Sequence, residues 1–314
     1  MKPPDSLLSH PNPAASYAEA LERLAVLQAR DGPEVHPRGH TLFLTHGALA
    51  GRVVVWFHGY TDSPNQFARL AQLCFERGWN VLVPRMPYHG LNDPMTTETA
   101  LLTAEKLARS ADEALDIAAG LGEQVVVGGL SMGGVITAWL AQQRREVELA
   151  MLLAPAFGVY LVPAPFTRLV GEAFARLPNT FEWWDPRVKG GLKQPEISYP
   201  RYAMRGIAAF LRLSYVMQDL ARHSPPAAPR IWVITTESDT AISQPVVEHV
   251  ISLWRAQGTP VQTHRFSADL GLDHNFIDPG HPKQRVDVTY PVILSALEQV
   301  DRLSKEVIAH GLCC

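Results

Sequence analysis

Short apolar runs alternate with longer segments of helical period through most of this chain, and this alternation constrains the fold more than any other feature of the sequence. The runs are rich in valine, leucine and isoleucine, as are strands that a parallel sheet buries on both faces. The predicted strands are 40–44, 53–57, 81–83, 124–127, 149–154, 231–235 and 261–266, and the predicted helices are 65–76, 98–119, 133–143, 245–257 and 288–308. We therefore expect an α/β fold in which helices cover both faces of a mostly parallel central sheet.

One long segment interrupts the alternation. Residues 156–225 contain no clear buried strand but many aromatic side chains. We predict that 1–155 and 226–314 form the core of the fold and that 156–225 is a cap or lid of helices and loops. The alternative is a second subdomain with no role at a binding site. The lid is favoured because the segment directly follows a strand, and ligands of such sheets bind at the carboxyl ends of the strands.

Composition narrows the class of protein. The 314 residues carry a formal net charge of −3 with no basic run, so nothing in the charge pattern favours binding to nucleic acid. The uncharged stretch 149–166 is interrupted by prolines and a glycine, which argues against a transmembrane helix. The start of the chain lacks the pattern of a signal peptide, so we expect a cytoplasmic protein. Cys74 and the pair Cys313 and Cys314 have the spacing of neither a disulfide framework nor a metal site.

The segment GLSMG at 129–133 lies where a predicted valine-rich strand ends and a predicted helix begins. It has the G-x-S-x-G pattern of a nucleophile elbow, a sharp turn whose strained serine projects its hydroxyl clear of the sheet. The flanking glycines would leave room for neighbouring backbone. The pattern is short and also arises by chance. Its position between a strand and a helix is what makes Ser131 a candidate nucleophile.

A serine hydroxyl is a weak nucleophile unless a base and an orienting acid accompany it. In this architecture the expected order along the chain is Ser, then Asp or Glu, then His, each after the carboxyl end of a strand. Asp239 follows the strand at 231–235, and His274 follows the strand at 261–266. The sequence therefore predicts a triad of Ser131, Asp239 and His274.

Other readings of these positions exist. An aspartate after a strand is often only a turn or helix-capping residue, and Glu237 is the nearest rival of Asp239 as the acid. His264 lies inside a predicted strand and His281 lies beside a proline further along, so both are less well placed as the base. The order and the loop positions together favour Asp239 and His274.

Acyl transfer also needs two backbone N–H groups directed at the oxyanion that develops on the substrate. One is expected from Met132, the residue after the nucleophile, and the other from the loop after an early strand. The strand at 53–57 leads into the glycine-bearing turn His58-Gly59-Tyr60, so we assign the second donor to the N–H of Tyr60. An ordinary strand-ending turn is the alternative interpretation.

Five segments in order resemble the α/β-hydrolase family: VVVWFHGYTDSPNQF, WNVLVPRMPYHGLND, GGLSMGGVITAWLAQ, TESDTAIS and GLDHNFIDP. The chain looks most similar to the branch of carboxylesterases and monoacylglycerol lipases, which includes serine aminopeptidase-like proteins. The resemblance implies an α/β-hydrolase fold, a triad of Ser131, Asp239 and His274, and an oxyanion hole built from the N–H groups of Tyr60 and Met132.

The chain departs from the family at one turn. The segment PYHG at 87–90 occupies the place of the family's Gly-His-Gly turn, with Tyr88 instead of the first glycine. The histidine of this turn, His89, is expected to be structural and lies outside the predicted triad.

The predicted activity is hydrolysis of carboxylic esters, with short- to medium-chain acyl esters or monoacylglycerol-like molecules as substrates and no metal or organic cofactor. Lid aromatics such as Trp183, Trp184 and Phe210 are candidates to contact a hydrophobic substrate. A serine at position 131 argues against an epoxide hydrolase or a dehalogenase, which would have aspartate there. Thioesterase, amidase, aminopeptidase and carbon–carbon hydrolase activities remain open. So do a non-catalytic ligand-binding module and a membrane- or protein-docking role for the aromatic segment.

Overall fold

The computed structural model describes residues 3–158, 160, 162, 166–186 and 197–311, with 300–311 described by their backbone. In this part of the chain the strands are β1 (Leu42–Leu44), β2 (Ala50–Phe57), β3 (Asn80–Val83), β4 (Gly122–Leu130), β5 (Val147–Leu153), β6 (Phe181–Trp183), β7 (Arg201–Ala203), β8 (Ile231–Thr236) and β9 (Val261–Phe266). The α-helices are α1 (Tyr17–Gln28), α2 (Ala68–Phe75), α3 (Ala104–Ala118), α4 (Met132–Gln143), α5 (Thr167–Arg176), α6 (Met204–Ala221), α7 (Gln244–Ala256) and α8 (Val286–Gly311).

The main sheet has the order β1-β3-β2-β4-β5-β8-β9. All neighbouring pairs are parallel except β1 with β3, so the predicted strands and the mostly parallel sheet are confirmed. The five residues Val53–Phe57 and most of β5 are fully buried, as expected for strands covered on both faces. The shorter strands β6 and β7 pair only with each other and form a separate antiparallel sheet.

The register of the parallel strands brings several strand ends to one edge of the sheet. Phe57 at the end of β2 pairs with Gly129 near the end of β4, and Leu130 pairs with Leu153 at the end of β5. Because parallel strands all point the same way, the loops that follow β2, β4, β8 and β9 all leave the sheet at the edge formed by the carboxyl ends of the strands. This edge carries every residue of the predicted triad and oxyanion hole.

Two helices differ from the prediction: one begins later than expected, and one was not predicted. The helix predicted from 98 begins at Ala104, because the side chain of Thr103 accepts the N–H of Lys106 and caps the helix there. Residues 98–101 form a short 3-10 helix instead. Helix α1 lies outside the helices predicted from the sequence; Ser16 caps it by accepting the N–H of Glu19.

The predicted insertion contains α5, the β6–β7 sheet and α6. Helix α6 packs on α3, α4 and α7 as well as on α5, so it lies against the helices of the core. Positions 159, 161, 163–165 and 187–196 of the insertion, and Cys313 and Cys314, lie outside the described residues. The boundaries of the insertion therefore stay a prediction. Within the described residues, no helix combines the length and apolar character needed to cross a bilayer.

Candidate active site

Ser131 occupies the turn between β4 and α4 in a strained conformation. Its backbone has φ 58° and ψ −113°, a region that non-glycine residues rarely adopt. Such strain costs about 1–3 kcal/mol and persists only where the surroundings enforce it. Here the Ser131 N–H donates to the carbonyl of Leu153 at 3.0 Å, while the Ser131 carbonyl accepts the N–H groups of Val135 and Ala156, both at 3.1 Å. Contacts from α4 and from the end of β5 thus hold the turn.

Close backbone packing explains the glycines that flank the serine. A Cβ at Gly133 would lie 1.9 Å from the carbonyl oxygen of Phe57, and a Cβ at Gly129 would lie 2.4 Å from the carbonyl carbon of Gly133. Both neighbours are backbone atoms, which cannot move aside as a flexible side chain can. Glycine is therefore required at both positions for α4 to begin this close to β2 and β4.

Asp239 and His274 form a hydrogen-bonded pair. Nδ1 of His274 lies 2.7 Å from Oδ2 of Asp239, whose side chain is fully enclosed, while the His274 side chain is 21% exposed. The other carboxylate oxygen of Asp239 accepts the N–H of Ala241 at 2.7 Å. Burial opposes protonation of His274, but the charge and hydrogen bond of Asp239 outweigh it and raise the pKa of the imidazole. A proton on Nδ1 faces the carboxylate, which leaves Nε2 as the basic nitrogen of the neutral ring.

The rival residues have other partners. The carboxylate of Glu237 accepts the N–H of Ala268 at 3.0 Å, so it braces the loop after β9. His264 lies within β9 with its ring edge-on to Phe266. His281 lies in the loop before α8, where its N–H donates to the backbone carbonyl of Asp278 at 3.0 Å. Among the acids and bases weighed from the sequence, the structure pairs Asp239 with His274.

The predicted oxyanion donors lie at the ends of adjacent strands. Met132 is the first residue of α4, where the leading N–H groups of a helix have no intrahelical acceptor. Tyr60 lies in the turn after β2, followed by Thr61 in a left-handed conformation with φ 67°. The Tyr60 hydroxyl donates to the carbonyl of Ala203 at 3.0 Å and accepts its N–H at 3.2 Å. The side chain of Tyr60 is thus anchored at the last residue of β7, directly before α6.

Two buried histidines support this turn as neutral side chains. His58 accepts the N–H of Met86 at Nε2, at 3.1 Å, and donates from Nδ1 to the carbonyl of Gly59 at 2.9 Å. Burial, reinforced by nearby His89, lowers the pKa of His58 well below its ordinary value. Burial also lowers the pKa of His89 to about 4, and its Nδ1 donates to the carbonyl of Pro87 at 2.8 Å. His58 thus joins the turn after β2 to the turn after β3, and the ring of His89 packs edge-on against the rings of His58 and Tyr60.

Three aromatic residues of the insertion contact the turn after β2. The indole N–H of Trp184 donates to Oγ1 of Thr61 at 2.8 Å, and the N–H of Tyr199 donates to the carbonyl of Thr61 at 2.8 Å. Phe210 is buried with its ring 5.7 Å from that of Tyr60. Trp183 lies in β6 and is partly exposed. The two contacts to Thr61 could not be predicted from the sequence, because no local pattern connects residues so far apart in the chain.

The strained turn at Ser131, the Asp239–His274 pair and the strand order of the sheet point to one class of protein. A model of the alpha/beta hydrolase family matches residues 53–288, most of the chain, and the protein belongs to this family. A curated relative, the thermostable monoacylglycerol lipase of Bacillus sp. strain H-257, is 25% identical over 185 residues, which are 59% of this chain and 69% of that protein.

Solved structures share the fold at low sequence identity. The monoacylglycerol lipase of Paleococcus ferrophilus superposes with a TM-score of 0.62 at 15% identity, over 83% of this chain and 99% of that one. A metagenome-derived lipolytic enzyme superposes with a TM-score of 0.60 at 20% identity, over 85% of this chain and 99% of that one. The described residues contain no group of three or more His, Cys, Asp or Glu side chains that could hold a metal ion.

Proposed function

We propose that this protein is a serine hydrolase that cleaves carboxylic esters through an acyl-enzyme. The observation that carries the proposal is the strained Ser131 at the sheet edge that also bears the 2.7 Å pair of Asp239 and His274. Family membership and a relative named as a monoacylglycerol lipase support the same chemistry. Short- to medium-chain acyl esters or monoacylglycerol-like molecules are the proposed substrates, and the aromatic insertion is the proposed lid over them.

The proposed reaction has two steps. Ser131 Oγ attacks the ester carbonyl as His274 Nε2 takes its proton, and the N–H groups of Tyr60 and Met132 stabilise the oxyanion. Collapse of the tetrahedral intermediate breaks the ester bond, and the protonated His274 gives its proton to the leaving alcohol. Water then attacks the acyl-enzyme with His274 again as base, which releases the acid and restores Ser131. Asp239 orients the imidazole and stabilises its cation throughout.

Covalent labelling tests the proposal directly. The wild type is expected to react with a fluorophosphonate probe and to hydrolyse p-nitrophenyl esters, whereas Ser131→Ala should lose both while keeping its fold by circular dichroism. Turnover of esters with acyl chains of increasing length then measures the size of the acyl pocket. Turnover of a thioester and an anilide with the same acyl group shows which bond the protein cleaves best. Labelling and turnover that survive in Ser131→Ala would refute the assignment of the nucleophile. A folded wild type that neither labels nor turns over would favour a ligand-binding module instead.

The location of the protein in the cell stays a prediction from the sequence, which favours the cytoplasm. The proposed binding partner is a small hydrophobic ester. The near-neutral charge of the chain gives no support for binding to nucleic acid.

A further inference from the structure

A single buried amide joins two loops of the candidate site. Gln66 lies in the 3-10 turn Pro64–Phe67, which follows the oxyanion turn, and is 3% exposed. Its Oε1 accepts the N–H of Gly59 at 2.8 Å, and its Nε2 donates to Oδ2 of Asp62 at 2.8 Å and to Oδ1 of Asn275 at 3.1 Å. The Gly59 N–H can only donate, so the orientation of the Gln66 amide is fixed by its partners. Both hydrogens of Nε2 are thereby used.

On one side, the partners of Gln66 flank the residue that supplies the oxyanion donor. Gly59 immediately precedes Tyr60, and Asp62 follows two residues later. The second carboxyl oxygen of Asp62 accepts the N–H of Ser63 at 2.9 Å, so the carboxyl group is held from both ends. Gln66 therefore fixes the turn before and after Tyr60, and with it the direction in which the Tyr60 N–H points.

On the other side, the partner of Gln66 is the residue next to the candidate base. Asn275 follows His274, and its side chain also hydrogen-bonds the carboxyl group of Asp278. That carboxyl group is buried and accepts the N–H of Gly280 at 2.8 Å. The loop after β9 is thus held to the turn after β2 through Gln66, although the hydrogen-bonded side chains are 209 residues apart in sequence.

We infer that Gln66 is a positioning residue that sets the oxyanion turn and the histidine loop relative to each other, so that Tyr60 N–H and His274 act on the same carbonyl. This inference rests on the proposed function. The competing explanation is that Gln66 only stabilises the fold, as any satisfied buried amide does. The two explanations predict different values of kcat for correctly folded variant molecules. Only a positioning role predicts a lowered kcat, because acyl transfer is sensitive to displacements of about 1 Å at the reacting groups.

The test compares Gln66→Met with a matched substitution elsewhere. Gln142 is also buried and also bridges elements: its Nε2 donates to the carbonyl of Ser224 at 3.1 Å, and its Oε1 accepts the indole N–H of Trp254 at 2.8 Å. It lies near the far end of α4, about 16 Å along the helix from Ser131. Gln142→Met should lower the melting temperature and keep the wild-type kcat.

Turnover is measured with p-nitrophenyl butyrate and expressed per active site, as counted by fluorophosphonate titration. We expect Gln66→Met to lose about 10- to 100-fold in kcat, with KM changed less than about two-fold. Asn275→Ala, on the other loop, should lose kcat by a similar factor. The double variant should be no worse than the poorer single one, because both substitutions break the same bridge.

Each result bears on the inference. A wild-type kcat per titrated site in Gln66→Met, or losses in the two single variants that multiply in the double variant, would overturn it. If Gln66→Met does not fold, Asn275→Ala carries the test, and an unchanged kcat there overturns the inference. Turnover that Ser131→Ala abolishes while Gln66→Met retains it would refute this inference alone. A wild type without turnover would refute the proposed function and this inference together.

Discussion

Two opposed influences, burial and a neighbouring carboxylate, set the pKa of His274. Burial disfavours the imidazolium, whereas the adjacent carboxylate of Asp239 favours it, and the balance raises the pKa of His274 above its ordinary value. A general base must be neutral to take a proton, so activity should fall as the pH drops through this raised pKa. We expect the acid limb of the kcat/KM profile to have its midpoint above the value of an ordinary histidine, about 6.5.

Asp239→Asn tests the cause of that shift. Without the Asp239 charge, burial outweighs the remaining charge of Asp273 at the imidazole, so the acid limb should move to lower pH. Activity should fall by about 10⁴-fold because the ring loses its orienting acceptor. If turnover of the variant is too slow to measure, the pH dependence of the fluorophosphonate labelling rate gives the midpoint of the acid limb. Glu237→Gln is the control: that carboxylate bonds the N–H of Ala268, and its removal should leave the limb in place. A limb that stays fixed in Asp239→Asn would contradict the role given to Asp239.

At the scale of elements, a glycine in α6 makes room for the side chain of Tyr60, the proposed oxyanion donor. A Cβ at Gly206 would lie 1.9 Å from the hydroxyl oxygen of Tyr60 and 2.4 Å from its ring. Alanine normally stabilises a helix by about 1 kcal/mol relative to glycine. Here we expect Gly206→Ala to lower both the melting temperature and kcat, because Tyr60 must leave its place and its backbone N–H moves with it.

Gly171→Ala in α5 provides the matched control. A Cβ at Gly171 would lie 2.6 Å from the hydroxyl oxygen of Tyr215, a tyrosine that bonds the carbonyl of Thr167 outside the candidate site. This variant should lose stability and keep the wild-type kcat per titrated active site. Equal losses of kcat in both variants would mean that helix packing alone, and not the position of Tyr60, governs turnover.

Local patterns made most of the elements predictable from the sequence. Every strand of the main sheet except β9 contains an apolar run, and the order of residues after the strands singled out Asp239 and His274, which the structure pairs at 2.7 Å. The catalytic roles of these residues and of Ser131 stay predictions. The contact of Trp184 with Thr61 joins residues 123 apart, and the amide of Gln66 bonds a loop near the end of the chain. Such contacts depend on how distant segments pack, so no window of sequence contains them.

At the scale of the whole molecule, one buried arginine holds the amino-terminal segment and two secondary elements together at the sheet edge opposite Ser131. Arg144 lies just before β5 begins, and its guanidinium contacts Asp112 at 2.9 Å, Asp116 at 2.6 Å and Glu146 at 2.9 Å. The carboxylates of Asp112 and Asp116 also accept the N–H groups of His10 and Asn12, each at 3.0 Å. The arginine thus joins α3, the start of β5 and the start of the chain.

Arg144→Met should lower the stability of the fold and leave its activity unchanged. It leaves Asp112 and Asp116 buried without their cation, which typically costs about 3–5 kcal/mol of the free energy of unfolding. The cluster lies at the amino-terminal end of the strands, whereas the turns of the candidate site follow their carboxyl ends, so kcat per titrated site at 25 °C should stay at the wild-type value. Urea unfolding measures the first effect. Arg176→Met removes an exposed pair with Glu172 and should cost less than about 1 kcal/mol. A small stability loss in Arg144→Met, or a lowered kcat, would contradict this division between the two edges of the sheet.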